Sequence, residues 1–174
     1  MLKKIALALL FCATAMFALE GKVVKVSDGD TITVLDDNKV QHKIRFYGID
    51  APEKSQPYGE KSRKNLESYV AGKYVKVDTR ATDRYGRTVG VVYVGKTNIN
   101  EAQVADGYAW AYTQYGGREF KTFENDAKSK GLGLWADKKP QAPWEYRKNK
   151  KNKTSTVEQD NDDLLVDLLK AIFK

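Results

Sequence analysis

Few side chains in this chain offer reactive chemistry. There is one histidine, His42, and one cysteine, Cys12, which lies in an N-terminal apolar stretch. His42 sits inside a strand pattern with no motif around it and reads as structural. A Ser-His-Asp site would need that histidine, and a zinc site would normally draw on Cys or His ligands. Carboxylates, arginines, tyrosines and a hard metal ion remain. The carboxylates gather where strand patterns end: Asp28 and Asp30 flank Gly29, and Asp50 and Glu53 flank Ala51-Pro52. Asp and Gly also mark ordinary turns, so neither segment alone identifies a site. If the two turns meet at one rim, Asp30, Asp50 and a backbone carbonyl make the all-oxygen site that Ca²⁺ prefers, completed by waters. Arg45 leads into Asp50, and Arg87 follows the Tyr85-Gly86 turn. Paired guanidiniums match the negative charge that builds on the equatorial oxygens of a phosphodiester under attack.

The elements that must position these groups begin as β-structure. Branched apolar residues alternate with polar ones over Lys22–Val26, Thr31–Leu35 and Lys43–Tyr47, the pattern of half-buried strands. The turn Ser27-Asp28-Gly29-Asp30 joins the first two, with Gly29 free to take a positive φ. A helix follows, with Pro57 suited to its first turn, Leu66, Tyr69 and Val70 near one face, and Gly72 to end it. Strand patterns return at Lys73–Asp78 and Val89–Val94. Asn98 with Glu101 predicts a capping box for a second helix, closed by Gly107. A third amphipathic helix carries Phe120, Phe123 and Ala127 and breaks at Gly131. The order is α+β, and five short strands in it are compatible with a small closed barrel of the OB type.

The two ends read differently from this middle. Met1–Lys4 is a basic start, Ile5–Phe17 is apolar, and Ala13-Thr14-Ala15 forms a small-residue cleavage motif. That order predicts a signal peptide over residues 1–18, cut after Ala15 or Ala18, and a secreted or periplasmic protein. Such a cut removes Cys12, so the mature chain enters an oxidising compartment without disulfides. It also removes Lys3 and Lys4, lowering the formal charge of +7 by two. A modestly basic chain suits a polyanionic partner without identifying one. Arg147 to Lys153 is basic with no apolar residue, so residues 147–174 read as a disordered linker. At its end Leu164, Leu165, Leu168, Leu169 and Ile172 recur at the spacing of a short amphipathic helix, a candidate for membrane or protein contact.

Three blocks in this order carry a family resemblance. Val26-Ser27-Asp28-Gly29-Asp30-Thr31, Arg45-Phe46-Tyr47-Gly48-Ile49-Asp50-Ala51-Pro52-Glu53 and Asp83-Arg84-Tyr85-Gly86-Arg87 resemble the signature blocks of the staphylococcal nuclease (thermonuclease) family. Gly131-Leu132-Gly133-Leu134-Trp135 and Pro143-Trp144-Glu145 resemble the end of its bacterial domains. The resemblance spans Gly21 to about Tyr146 and sets the domain at residues 19–146. It implies an OB-fold five-stranded barrel with three helices, and a monomeric enzyme that cuts DNA and RNA without sequence preference. It implies Ca²⁺ held by Asp30, Asp50 and the Ala51 carbonyl, with Asp28 supporting from behind. Ala51 stands where the best-known member has Thr, so a side-chain contribution is lost there. It further implies that Glu53 positions the attacking water, since a carboxylate of ordinary pKa is a weak base at neutral pH. Arg45 and Arg87 would hold the phosphate, with cleavage at P–O5′ leaving 3′-phosphate ends. Tyr85, Arg84 and Tyr112 match the nucleotide pocket, with Tyr115 or Gln114 in the place of its second tyrosine, depending on the gap; rings there stack on bases. Two other readings stay open: an OB module that binds nucleic acid and cuts it weakly, and an envelope-attached interaction protein acting through its tail. Retention of all three acids and both arginines argues for cutting.

Overall fold

The computed structural model describes residues 19–153 of the 174-residue chain. The expected signal peptide and the Leu-rich segment from Leu164 lie outside the described residues. Strands β1 (Leu19–Asp28), β2 (Thr31–Leu35) and β3 (Gln41–Phe46) form the expected antiparallel meander. Two residues of β4 (Ile49–Asp50) follow, then helix α1 (Gly59–Val70). Strands β5 (Tyr74–Thr82) and β6 (Thr88–Val94) form a hairpin. After β7 (Thr97–Asn98) come α2 (Ile99–Ala105), β8 (Trp110–Ala111) and α3 (Lys121–Ser129).

Five strands close on themselves. The order β3-β2-β1-β5-β6 is completed by parallel pairing of β3 with β6, Ile44 beside Thr88 and Arg45 beside Val89. Register shifts in β1, between Val23 and Lys25 and between Val26 and Asp28, and in β5 between Thr79 and Ala81, supply the bends. Bulges of this kind let a small sheet curl without losing its inward pattern. Ile32, Val34, Ile44, Phe46, Val75, Val77 and Val92 fill the interior, all essentially inaccessible. Burying each such side chain contributes about 2 kcal/mol, which holds the fold without a disulfide.

The helices seal one end of the barrel. Leu66 and Val70 of α1 and Ile99 and Val104 of α2 are buried. The Asn98 cap forms as the sequence predicts, its side chain accepting from the Glu101 N–H. Buried polar residues then stitch helices to strands. Asn100 accepts from Val92 N–H and donates to the carbonyls of Tyr47 and Gly90. Glu124, fully buried on α3, accepts from Ala111 N–H and pairs with Lys121 and Lys128.

A fourth helix, α4, covers residues 143–153. Composition pointed to a linker beyond Tyr146. The described part of that segment instead continues the helix that Pro143 begins, Pro being well suited to a first helical position. Trp144 anchors it, stacked on Tyr112 at 5.1 Å and edge-on to Trp110 at 5.5 Å. Among the described residues no helix is long and apolar enough to cross a membrane.

Candidate functional site

The two acidic turns meet. Asp30 stands at the start of β2 and Asp50 ends β4, and the Ala51 N–H donates to Asp30 Oδ2 at 2.7 Å. Two connections force this approach. Phe46 N–H donates to the Asp30 carbonyl, tying the end of β3 to the turn. β4 pairs with β8, Asp50 opposite Trp110, which fixes the chain just past Gly48. Gly48 makes the intervening bend at φ +69°.

Gly29 is required for a reason other than its conformational freedom. It lies outside the left-handed region, but a Cβ there would overlap Ser62 Oγ and press on the Ala51 methyl. The turn is clamped from beneath as well. Gln103 Nε2 donates to the carbonyls of Gly29 and Ser62, each at 2.9 Å, and Ser62 Oγ donates to the Tyr108 carbonyl.

Arg45 bridges the pair of acids. Its guanidinium lies 3.1 Å from Asp30 Oδ2 and 2.8 Å from Asp50 Oδ1. Both carboxylates are nearly inaccessible, at 5% and 1%. Negative charge is nonetheless in excess here. Burial, then the neighbouring Asp30 charge, pushes the Asp28 carboxyl up to about 7. Burial also raises Asp50, against the hydrogen bond from Arg147 and the charge of Arg45.

This donor set consists of hard oxygens, the chemistry that suits Ca²⁺ or Mg²⁺. Crowded buried acids gain from a cation, because opposite charge favours their ionised form. Among the described residues no three or more Asp, Glu, His or Cys side chains are arranged as a cage. A cation would therefore rest on Asp30 and Asp50, with the Ala51 carbonyl and water making up the rest. On donor chemistry and burial the residues fit such an ion.

Glu53 stands at the same mouth, linked through a residue outside the expected set. Arg147 on α4 reaches Asp50 Oδ2 at 2.8 Å and Glu53 Oε1 at 2.7 Å. Burial works against its charge, but the hydrogen bonds to Asp50 and Glu53 outweigh that and hold it more firmly protonated than usual. Tyr146 bonds Ser55 twice, and Gln56 Nε2 donates to the Gln141 carbonyl, so α4 is fastened to the loop after Glu53.

The remaining expected residues divide into two groups. Burial, and after it the Asp50 charge, raises the Tyr112 phenol, and Tyr115 packs against it at 4.8 Å with its own ring exposed. Arg87, Tyr85 and Arg84 form a separate cluster on the β5–β6 hairpin. Arg87 Nε pairs with Asp83 at 2.7 Å, and both arginines lie over the exposed Tyr85 ring. Hydrogen bonds from Arg87 hold Asp83 below the usual range, against the burial that would raise it. Barrel closure sets Thr88 beside Ile44, so this hairpin borders the strand that carries Arg45. His42 bonds Asp36 at 2.8 Å, away from the acids of the site, in the structural role expected of it.

Sequence reasoning missed Arg147, Ser62, Gln103 and Glu124. For Arg147 a signal was present: Pro143 at a helix start, then ten residues without Gly or Pro.

Comparison with known proteins agrees with this geometry. Residues 43–137 match the family model described as "Staphylococcal nuclease homologue". The chain is 46% identical over 131 residues to an "Uncharacterized endonuclease" of Haemophilus influenzae, covering 75% of this chain and 74% of that protein. It is 39% identical over 162 residues to a "Micrococcal nuclease" of Shigella flexneri, covering 86% and 92%. It is 42% identical over 161 residues to "Protein ParB" of Escherichia coli, covering 85% and 90%.

Proposed function

The chain belongs to the staphylococcal nuclease homologue family, a nuclease by that membership, and we propose that it is a Ca²⁺-dependent enzyme cutting both DNA and RNA. The observation that carries this reading is Arg45 bridging two buried carboxylates, with Glu53 at the same opening. When bound, Ca²⁺ would supply positive charge against the phosphate oxygens and acidify water.

The chain's own residues do the rest. Asp30, Asp50 and the Ala51 carbonyl would hold the cation, and Asp28 would add negative charge behind them. Glu53 holds a water in line with phosphorus, accepting a hydrogen bond from it. As the water oxygen bonds to phosphorus, the P–O5′ bond breaks. The proton the attacking water loses passes to bulk water, and the 5′ oxygen takes one from bulk water, leaving a 3′-phosphate and a 5′-hydroxyl. Arg45 binds the non-bridging oxygens through this change, and Arg87, released from Asp83, meets the charge that grows in the transition state. Tyr85, Tyr112 and Tyr115, with Arg84, receive bases by stacking, which does not depend on sequence or sugar. The N-terminal pattern supports export to the periplasm or medium, where the protein acts as a monomer.

The test is incubation of the protein with plasmid, denatured DNA and RNA, in Ca²⁺ or in a chelator, with analysis of product ends. Expected are degradation of all three in Ca²⁺ alone, and 3′-phosphate ends. Binding without cutting in Ca²⁺ would mean a non-catalytic module. Arg87→Ala turning over at the wild-type rate would remove that residue from the mechanism.

A further inference from the structure

The cavity beside Glu53 has a volume of about 310 Å³ and is lined by Ser55, Tyr146, Arg147, Lys150 and Lys151 as well. Positions i, i+3 and i+4 share one face of a helix, so Arg147, Lys150 and Lys151 line up on α4. This face is fastened down by the Tyr146–Ser55 bonds, the Gln56–Gln141 bond and the Trp144–Tyr112 stack. Its cations are therefore held at the mouth of the site before any substrate arrives.

Arg45 and Arg87 account for one phosphate. A polynucleotide brings others on either side of it, and these have no partner among the residues discussed so far. We propose that Arg147, Lys150 and Lys151 form a subsite for a backbone phosphate adjoining the scissile phosphodiester. This deepens the nuclease reading and rests on it. The Glu53 carboxylate repels an anion at the inner end of the cavity, so the phosphate sits toward the lysines. The Ser55 and Tyr146 hydroxyls line the same space. Arg147, already turned toward Asp50 and Glu53, links the subsite to the reacting centre.

Salt dependence of binding reads this directly. A single strand loses affinity with a log–log slope of about −0.7 per phosphate contact. The full chain is titrated in chelator with a fluorescein-labelled oligothymidylate across a salt series. Lys150→Ala/Lys151→Ala keeps Arg147 and its ion pairs and is expected to lower the steepness of the slope by about 0.7, the share of one phosphate. Lys148→Ala removes a charge from the same helix outside the cavity and is expected to leave the slope unchanged. An unchanged slope in the double variant overturns the subsite. So does a Lys148→Ala shift as large per charge as that of the cavity lysines, which would mean a diffuse field. A wild-type protein that neither binds the oligonucleotide nor cuts DNA in Ca²⁺ would instead overturn the nuclease reading beneath it.

Discussion

Replacing Asp28 by Asn should change how stability depends on pH, and the structure sets the sign. Burial and the Asp30 charge raise the Asp28 carboxyl from 3.8 to about 7. The folded protein therefore holds this proton more tightly than the unfolded chain does. The stabilisation is complete below about pH 4 and is lost as pH rises through about 7. At ~1.4 kcal/mol per tenfold change in acidity, the ceiling is about 4 kcal/mol. Asp28 is not fully enclosed, and solvent screening reduces the working figure to about 2 kcal/mol. Roughly two thirds of that range lies between pH 5 and pH 8. Urea unfolding in chelator at those two values measures it, since Asn cannot titrate. Asp28→Asn should gain about 1–2 kcal/mol on the wild type between pH 5 and pH 8. A difference between the two proteins that is the same at both pH values would refute the reasoning. Asp28 would then titrate as an ordinary surface carboxylate, and no excess of acid would exist at the site.

Two other perturbations test how the site is held. Gln103→Ala removes the donor that the Gly29 and Ser62 carbonyls share and one of the two acceptors of the Asn65 amide, which keeps Asp106; this should cost about 2–3 kcal/mol in urea unfolding. Calorimetry should also show weaker Ca²⁺ binding by the folded variant, because the Asp28–Asp30 turn loses its clamp; a loss under about 1 kcal/mol with unchanged binding would count against that clamp. Trp144→Ala removes the contacts with Tyr112 and Trp110 and should cost about 2 kcal/mol. Trypsin should then cut within residues 147–153 faster than in the wild type, and an unchanged rate would mean that α4 is held by other contacts.

Much of the barrel was legible in the residue pattern, because strand alternation and turn chemistry are local. The five barrel strands and the Asn98 cap stand where alternation and the Asn98–Glu101 spacing put them. The fourth helix was only partly legible: Pro143 and the run without Gly or Pro allowed it, but nothing local showed that it docks. Its residues 147–153 are basic and lack apolar side chains, and its burial comes from Pro143, with Trp144 and Tyr146 half-buried beside it. Charge pattern describes what solvent sees of a segment, and it is silent about where neighbouring aromatics anchor it. Gly29 shows the same limit. Its need for a turn was readable, but the crowding by Ser62 depends on a helix more than thirty residues away.

Sequence by itself determined the chemical repertoire. With one histidine and no cysteine beyond Cys12, only carboxylates, guanidiniums and phenols were left for the site. The three blocks carrying Asp30, Asp50 and Arg87 pointed to a nuclease before any geometry was known. Tertiary structure decided which of those groups share charge. Pairing of β4 with β8 and closure of β3 on β6 bring Asp30, Asp50 and Arg45 into one buried cluster. Docking of α4 adds Arg147, a residue nearly a hundred positions from the acids it meets. Such long-range neighbours arise from packing of whole elements, and no local pattern encodes the partner a side chain will find.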